Sequence, residues 1–212
     1  VDDKEGQRGH VAAVRRGHVT GDGGRADVGR VVPRNLGDGV RRLLRPGGVG
    51  EAAVVDPKRD VDDYIETAQQ QGFKIVAVLE THPHADFASG HVELAKRTGA
   101  SIYISHRAPA TYSRVPVRDG DVIKVGDLEV VPMETPGHSP DSVSFLVKEN
   151  GRGEAVYTGD TLFVGDVGRP DLRDADENPE KLADALYDSL HRLINLPAET
   201  RIYPAHGAGS LC

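Results

Sequence analysis

Four short polar segments, each directly after an apolar run of β-strand character, constrain this chain more than any other feature. The ends of strands are where a sheet displays its loops, so reactive side chains in such segments are gathered at one edge of a sheet. The segments therefore predict a strand-rich domain with a polar site at the strand ends. They are Thr81-His-Pro-His-Ala-Asp86, Thr135-Pro-Gly-His138, Thr158-Gly-Asp160 and Tyr203-Pro-Ala-His206.

Helical and extended patterns alternate around these segments. Helices are predicted over residues 60–71, 89–97 and 179–195, where apolar side chains recur every three or four positions. Strands are predicted over residues 52–55, 74–79, 101–105, 122–125, 128–133, 143–147, 154–158 and 201–203. This order of elements predicts a layered α/β domain.

Residues 1–50 differ in composition from the rest of the chain. They hold twelve of the 25 glycines and nine arginines, but no aromatic residue, isoleucine, methionine or cysteine. A segment with so little to bury is expected to be poorly ordered coil. We therefore divide the chain into a poorly ordered segment, residues 1–50, and a catalytic domain, residues 51–212.

The overall composition argues against several classes of partner. A net charge of -7 argues against binding to nucleic acid, and the 38% hydrophobic and 28% charged residues are ordinary for a soluble globular protein. Because no apolar run reaches 18 residues and the N-terminus lacks a signal-like stretch, we expect no membrane association and a cytoplasmic location. The single cysteine, Cys212, leaves histidine and carboxylate as the ligands for a metal site.

The first polar segment is the most specific of the four for metal binding. His82, His84 and Asp86 alternate along the chain, so an extended turn would direct all three side chains to one side. Imidazole and carboxylate suit zinc, iron or manganese, and two histidines with one carboxylate leave positions open for substrate, water or dioxygen. A lone loop histidine is more often a surface or capping residue, which is how we interpret His10, His18, His91, His106 and His191.

In this order and spacing, the four segments resemble the metallo-β-lactamase superfamily over about residues 51–212. The stretches from Thr158 to Asp171 and from Tyr203 to Cys212 most resemble bacterial persulfide dioxygenase-like proteins, which are often fused to rhodanese domains. The resemblance implies an αββα sandwich. That family begins with an apolar β-hairpin, which residues 1–50 do not supply, so we expect the sandwich to lack its first hairpin.

The resemblance also implies a set of site residues. In persulfide dioxygenases the positions of His82, His138 and Asp160 hold one iron(II), and the position of the Gly168-Arg169 pair contacts the glutathione persulfide substrate. A structural loop arginine is the alternative for Arg169. Superfamily members with two metals carry a histidine where this chain has Phe87, which cannot ligate a metal, so one metal ion per chain is favoured. Orienting ligands or moving protons is then the expected role of the remaining candidates, with direct ligation as the alternative; they are His84, Asp86 and His206.

The implied activity is the oxidation of a low-molecular-weight thiol persulfide by dioxygen to sulfite and free thiol, with Fe²⁺ as cofactor. A rhodanese domain or protein is the implied partner. Two alternatives stay open. One is a glyoxalase II-like thioester hydrolase, in which Zn²⁺ activates a water molecule. The other is an inactive remnant, or a sulfur-binding module of a rhodanese fusion.

Overall fold

The structure is a computed structural model that describes residues 10–14, 30–33, 41–44, 50–172 and 178–206. Within these ranges the helices are α1 (Asp62–Gln70), α2 (His91–Thr98) and α3 (Pro179–Ile194). The strands are β1 (His10–Val14), β2 (Arg30–Pro33), β3 (Arg41–Leu44), β4 (Gly50–Val55), β5 (Phe73–Leu79), β6 (Ser101–Ser105), β7 (Val115–Val117), β8 (Ile123–Val125), β9 (Leu128–Glu134), β10 (Val143–Glu149), β11 (Arg152–Gly159) and β12 (Arg201–Pro204).

Two five-stranded sheets form the centre of the domain. The first has the order β1-β4-β5-β6-β7, in which β4 to β7 are parallel and β1 is antiparallel to β4. The second has the order β12-β11-β10-β9-β8, antiparallel except for the pair β11 and β12. Parallel neighbours end at the same edge, so the loops after β4 and β5 lie side by side, as do those after β11 and β12.

The core between the sheets follows from the two-residue period of the strands. In β4, Ala53 and Val55 face the second sheet and join a cluster that includes Phe145 of β10. The intervening Ala52 and Val54 face the other way and pack beneath α1 and α2. On the outer side of the second sheet, a smaller cluster includes Val156 of β11 and Leu193 of α3. The predicted αββα sandwich is therefore confirmed.

Strands β1, β2 and β3 lie within residues 1–50, where the sequence predicts coil. β1 adds to the first sheet beside β4, with His10 opposite Val55 and Val14 opposite Glu51. The open edge of β4 offers unpaired backbone groups, which even a weakly patterned segment can satisfy. The expectation of coil is wrong for these three ranges, and the antiparallel pair β2–β3 lies in the part expected to lack a hairpin. The other residues up to 49 lie outside the described ranges, and the division of the chain at residue 50 stays a prediction.

Helix α3 begins with two favourable residues. Asn178 is its N-cap, and the Asn178 side chain accepts a hydrogen bond from the backbone N–H of Glu180 at 2.9 Å. Pro179 follows at the first helical position, where its fixed φ favours a helix.

None of the helices in the described ranges has the length and apolar character that crossing a membrane requires.

The four polar segments all lie at the ends of strands. The first segment lies at the end of β5 in the first sheet, while the others lie at the ends of β9, β11 and β12 in the second sheet. Residues from both sheets thus meet at one edge of the sandwich.

Candidate metal centre

His82, His138 and Asp160 come together in the way that the sequence predicts. Their ligand atoms lie within 4.8 Å of one another, and all three side chains are buried. Asp160 Oδ2 lies 3.8 Å from His82 Nε2 and 3.7 Å from His138 Nε2. Ligand bonds of 2.0–2.2 Å place neighbouring ligand atoms about 3.0–3.4 Å apart, so a small contraction would let the three groups share one ion.

Asp160 has the environment of a carboxylate that a cation would stabilise. Its Oδ1 atom is buried and accepts no hydrogen bond from the described residues. Burial raises the pKa of Asp160 to about 6, although the imidazoles of His206 and His84 act in the opposite direction. The residues present therefore fit a divalent metal.

The orientation of His82 depends on Thr81 and Asp56. Asp56 accepts hydrogen bonds from the backbone N–H and the hydroxyl of Thr81, both at 2.8 Å. The Thr81 Oγ1 atom also lies 3.1 Å from His82 Nδ1. Because the hydroxyl has one hydrogen and donates it to Asp56, it accepts from the Nδ1–H of His82. This tautomer leaves His82 Nε2 unprotonated for a metal.

His138 is oriented by a backbone group instead. Its Nδ1 atom lies 3.2 Å from the backbone oxygen of Arg169, and a carbonyl can only accept. His138 Nε2 is therefore the nitrogen available to a metal. The loop that carries His138 is itself fixed by α3, because Ser189 donates a hydrogen bond to the backbone oxygen of Pro136 at 2.7 Å.

Gly168 allows its loop to lie close to the backbone of Asp160 and to His138. A Cβ atom at this position would lie 1.8 Å from the backbone oxygen of Asp160 and 2.9 Å from the Cβ of His138. The resemblance places the Gly168-Arg169 pair at the substrate, but it does not indicate that Gly168 packs against the backbone of Asp160.

The side chain of Arg169 does not point at the metal ligands. Its guanidinium is 49% exposed and forms a two-point ion pair with the Asp171 carboxylate, at 2.9 and 3.0 Å. Arg169 thus contacts the site through its backbone oxygen. Its role in substrate binding stays a prediction.

His206 and Asp86 lie beside Asp160, next to its second oxygen. His206 Nε2 is 3.3 Å from Asp86 Oδ2 and 3.5 Å from Asp160 Oδ1. Burial favours the neutral form of Asp86, but the hydrogen bond with His206, a backbone hydrogen bond and the charges of His206 and His84 together outweigh burial and lower the pKa of Asp86. The role of these two residues in orienting ligands or moving protons stays a prediction, as does their direct ligation of a metal.

His84 differs from the expectation that it shares one face with His82 and Asp86. Its Nε2 atom lies 3.0 Å from Asp56 Oδ1, and it groups with Asp56 and Glu80 rather than with the three metal ligands. Burial disfavours a charged His84, but Asp56 and then Glu80 outweigh burial and raise the pKa of His84 to about 9. The buried Asp56 carboxylate, with Glu80 beside it, attracts this imidazole away from the predicted centre.

Asp56, Glu80 and Thr81 are the residues near the site that sequence reasoning missed. Asp56 directly follows β4 and has φ 47°, a left-handed conformation that is uncommon outside glycine. This conformation turns the chain directly after the strand. The available signal is the Asp56-Pro57 pair after the predicted strand 52–55, and such a pair by itself indicates only where the strand ends.

A small cavity of about 100 Å³ opens onto the centre. His82, His138 and Asp160 line it on the polar side, and Ala85 and Leu172 are among its apolar lining residues. The cavity has the size for a small group beside the ligands rather than for a whole substrate.

Comparison with known proteins identifies the family. The model of the metallo-beta-lactamase superfamily matches residues 43–206. A hydroxyacylglutathione hydrolase from Maricaulis maris (strain MCS10) is 35% identical over 175 residues, which are 81% of this chain and 63% of that protein. A second hydroxyacylglutathione hydrolase, from Methylococcus capsulatus, is 32% identical with the same coverage. The chain thus spans somewhat less than two thirds of the length of these relatives.

Solved structures agree with this assignment. A metallo-beta-lactamase from Staphylococcus aureus subsp. aureus COL is 37% identical with a TM-score of 0.70, over 76% of this chain and 50% of that chain. ETHE1 from Myxococcus xanthus is 36% identical with a TM-score of 0.66, over 76% of this chain and 67% of that chain. Together with the αββα sandwich and the ligands at its edge, these matches show that the chain belongs to the metallo-β-lactamase superfamily.

Proposed function

We propose that this domain oxidises the persulfide of a small thiol, such as glutathione persulfide, with dioxygen at a single iron(II) held by His82, His138 and Asp160. The ligand set carries the proposal. Two imidazoles and one carboxylate converge, whereas His84 contacts Asp56 and Phe87 occupies the position of a second-metal ligand. A centre of two histidines and one carboxylate with open positions is typical of non-haem iron oxygenases.

The reaction consumes one persulfide, one dioxygen and one water, and yields the free thiol, sulfite and two protons. Iron bound at this centre would supply the dioxygen chemistry. Thr81 and the backbone oxygen of Arg169 orient the two imidazoles, and the burial of all three ligands limits access of bulk water. His206 lies between Asp86 and Asp160 and is placed to accept a released proton.

The exposed guanidinium of Arg169 suits a carboxylate of the carrier thiol. Asp171 forms an ion pair with this guanidinium, so a substrate carboxylate would replace Asp171 as its partner. A rhodanese domain or protein, which transfers sulfur, remains the predicted partner for the same chemistry.

A second candidate is the hydrolysis of a glutathione thioester. The similarity to hydroxyacylglutathione hydrolases favours this function. The names of these relatives support thioester hydrolysis more than persulfide oxidation. Zinc held by the same three residues would lower the pKa of a water molecule for attack on the thioester carbonyl, and Asp86 and His206 beside Asp160 are placed to position that water. Phe87 counts against a two-metal form of this enzyme, but a single zinc ion remains compatible with hydrolysis.

One experiment separates these functions. Protein loaded anaerobically with iron is given glutathione persulfide and its oxygen uptake is followed, while zinc-loaded protein is given a hydroxyacylglutathione thioester. Metal content is measured on the same samples. His82→Ala removes a ligand, and His191→Ala on the exposed side of α3 is the matched control.

Oxygen uptake that His82→Ala abolishes and His191→Ala retains would support persulfide oxidation. Thioester hydrolysis without oxygen uptake would replace the first function by the second. Neither activity, together with no retained metal, would overturn both and identify an inactive remnant.

A further inference from the structure

Asp56, Glu80 and His84 form a buried cluster directly beside the metal centre, which we call the acid–His84 cluster. One ligand-type atom from each residue lies within 4.8 Å of the others. The two carboxylates are almost fully buried, with 2% and 1% of Asp56 and Glu80 exposed. The His84 side chain is equally enclosed, at 1%. Its partners in this cluster are therefore protein groups rather than solvent.

Both carboxylates are fixed in place by other contacts. Asp56 accepts two hydrogen bonds from Thr81, as described above. Glu80 accepts a hydrogen bond from the hydroxyl of Ser89 at 3.1 Å and lies 3.4 Å from Nδ1 of His91. Ser89 and His91 lie at the start of α2, and the backbone N–H of Gly90 between them donates to Pro57 at 2.8 Å. The cluster is thus tied to both β4 and α2.

His84 is nevertheless close to the centre. Its ring lies 4.3 Å from the ring of His82, measured between centroids, and its Nδ1 atom is 3.9 Å from Asp86 Oδ1. The ring of Phe87 packs against His84 at 4.3 Å. Distance alone does not keep His84 away from the metal ligands, since a side-chain rotation would redirect the imidazole. What opposes that rotation is the 3.0 Å contact with Asp56, together with Glu80.

We infer that Asp56 and Glu80 hold His84 out of the metal ligand set and thereby keep the centre at two imidazoles and one carboxylate. The inference rests on the proposed single-metal site and extends it. A third imidazole would occupy a position that the substrate sulfur or dioxygen needs. Asp56 and Glu80 are accordingly positioning residues, which act on the open positions of the metal through His84.

The test counts imidazoles on bound metal and uses neither substrate nor oxygen. Protein loaded with cobalt(II) is studied by X-ray absorption and by visible absorption, and metal content is measured per chain. We expect one cobalt with two imidazoles in the native chain and an unchanged spectrum in His84→Ala. Asp56→Asn and Glu80→Gln are each expected to raise the count from two imidazoles to three. Glu93→Gln, an exposed position on α2, is the control and leaves the count at two.

Double variants make the result specific to His84. Adding His84→Ala to Asp56→Asn or to Glu80→Gln is expected to return the count to two and to restore the native spectrum. A purely structural role of the carboxylates would not be reversed by a second substitution. The use of both carboxylates guards against the case in which Asp56→Asn disturbs His82 through Thr81.

Three results of the imidazole count and the spectra would overturn the inference, and a fourth comes from the metal content. The first three are a count of three imidazoles in the native chain, no third imidazole in either carboxylate variant, and a spectral change that persists in the double variants. A second cobalt that Glu80→Gln removes would also overturn it, because the cluster would then be a metal site itself. Failure of persulfide oxidation with two imidazoles in the native chain would reject the proposed reaction and leave this inference standing.

Discussion

Gly168 packs so closely against the Asp160 backbone that one added methyl group has no room. The Cβ of an alanine would lie 1.8 Å from the backbone oxygen of Asp160, whereas such contacts are essentially never shorter than 3.0 Å. Subtracting 1.8 from 3.0 gives a separation of about 1.2 Å that Gly168→Ala must impose between the two segments. His138, whose Cβ is 2.9 Å from the same position, would move as well.

This displacement is large for a metal centre, because ligand distances stay within about 0.2 Å of their preferred values. We expect Gly168→Ala to weaken metal binding by about 10–100-fold, which is the effect of removing a group that orients metal ligands. Overpacking of this kind lowers the free energy of unfolding by about 1–3 kcal/mol, and a backbone obstacle places the effect near the upper end.

Gly165→Ala is the matched control within the same loop. Gly165 has φ +81°, so alanine there is strained by about 1–2 kcal/mol, but its Cβ meets nothing within 4 Å. Its metal affinity should stay within about twofold of the native value, since no contact with the ligands changes. Urea unfolding of metal-free protein gives the stability term, and competition with a chelator gives the affinity. Equal metal affinity in the two variants would refute the argument.

Three further predictions concern single side chains. Thr81→Val removes the hydroxyl that links Asp56 to His82 and should weaken metal binding by about 10–100-fold in the chelator assay, and an unchanged affinity would contradict the assigned tautomer. Arg169→Ala should leave metal affinity unchanged, because the backbone oxygen contacts His138, yet raise KM for glutathione persulfide about tenfold through one lost charged hydrogen bond; an unchanged KM would leave Arg169 without a role in substrate binding. Asn178→Ala removes the α3 N-cap and should lower the free energy of unfolding by about 1 kcal/mol in urea, with no change in metal affinity.

The long, strongly patterned elements could be predicted from the sequence. Residues 74–79 and 179–195 are predicted as strand and helix, and the structure has β5 at Phe73–Leu79 and α3 at Pro179–Ile194. Strands β1 and β7 could not be predicted in this way. β1 depends on pairing with β4 across a long sequence separation, and β7 is a three-residue strand with Pro116 at its centre.

Within the site, too, some features could be predicted from the sequence and others could not. The convergence of His82, His138 and Asp160 could be predicted because their motifs combine rare ligand types at the ends of strands. The direction of His84 could not, because it depends on Asp56, which lies 28 positions earlier in the chain, being buried at the end of the neighbouring strand. The closeness of Gly168 to Asp160 was equally hidden, since it arises from the path of a loop backbone rather than from a side-chain pattern.

The predicted metal ligands come from both sheets of the sandwich: His82 follows β5 in the first, whereas His138 and Asp160 follow β9 and β11 in the second. A bound ion would therefore be a crosslink between the two halves of the core, and the thickness of the core would set the distances between its ligands. Metal affinity then reports on packing far from the ion. Phe145 is fully buried between the sheets and contacts no ligand. A smaller side chain there would change the spacing of the two sheets and, through it, the distances between the ligands.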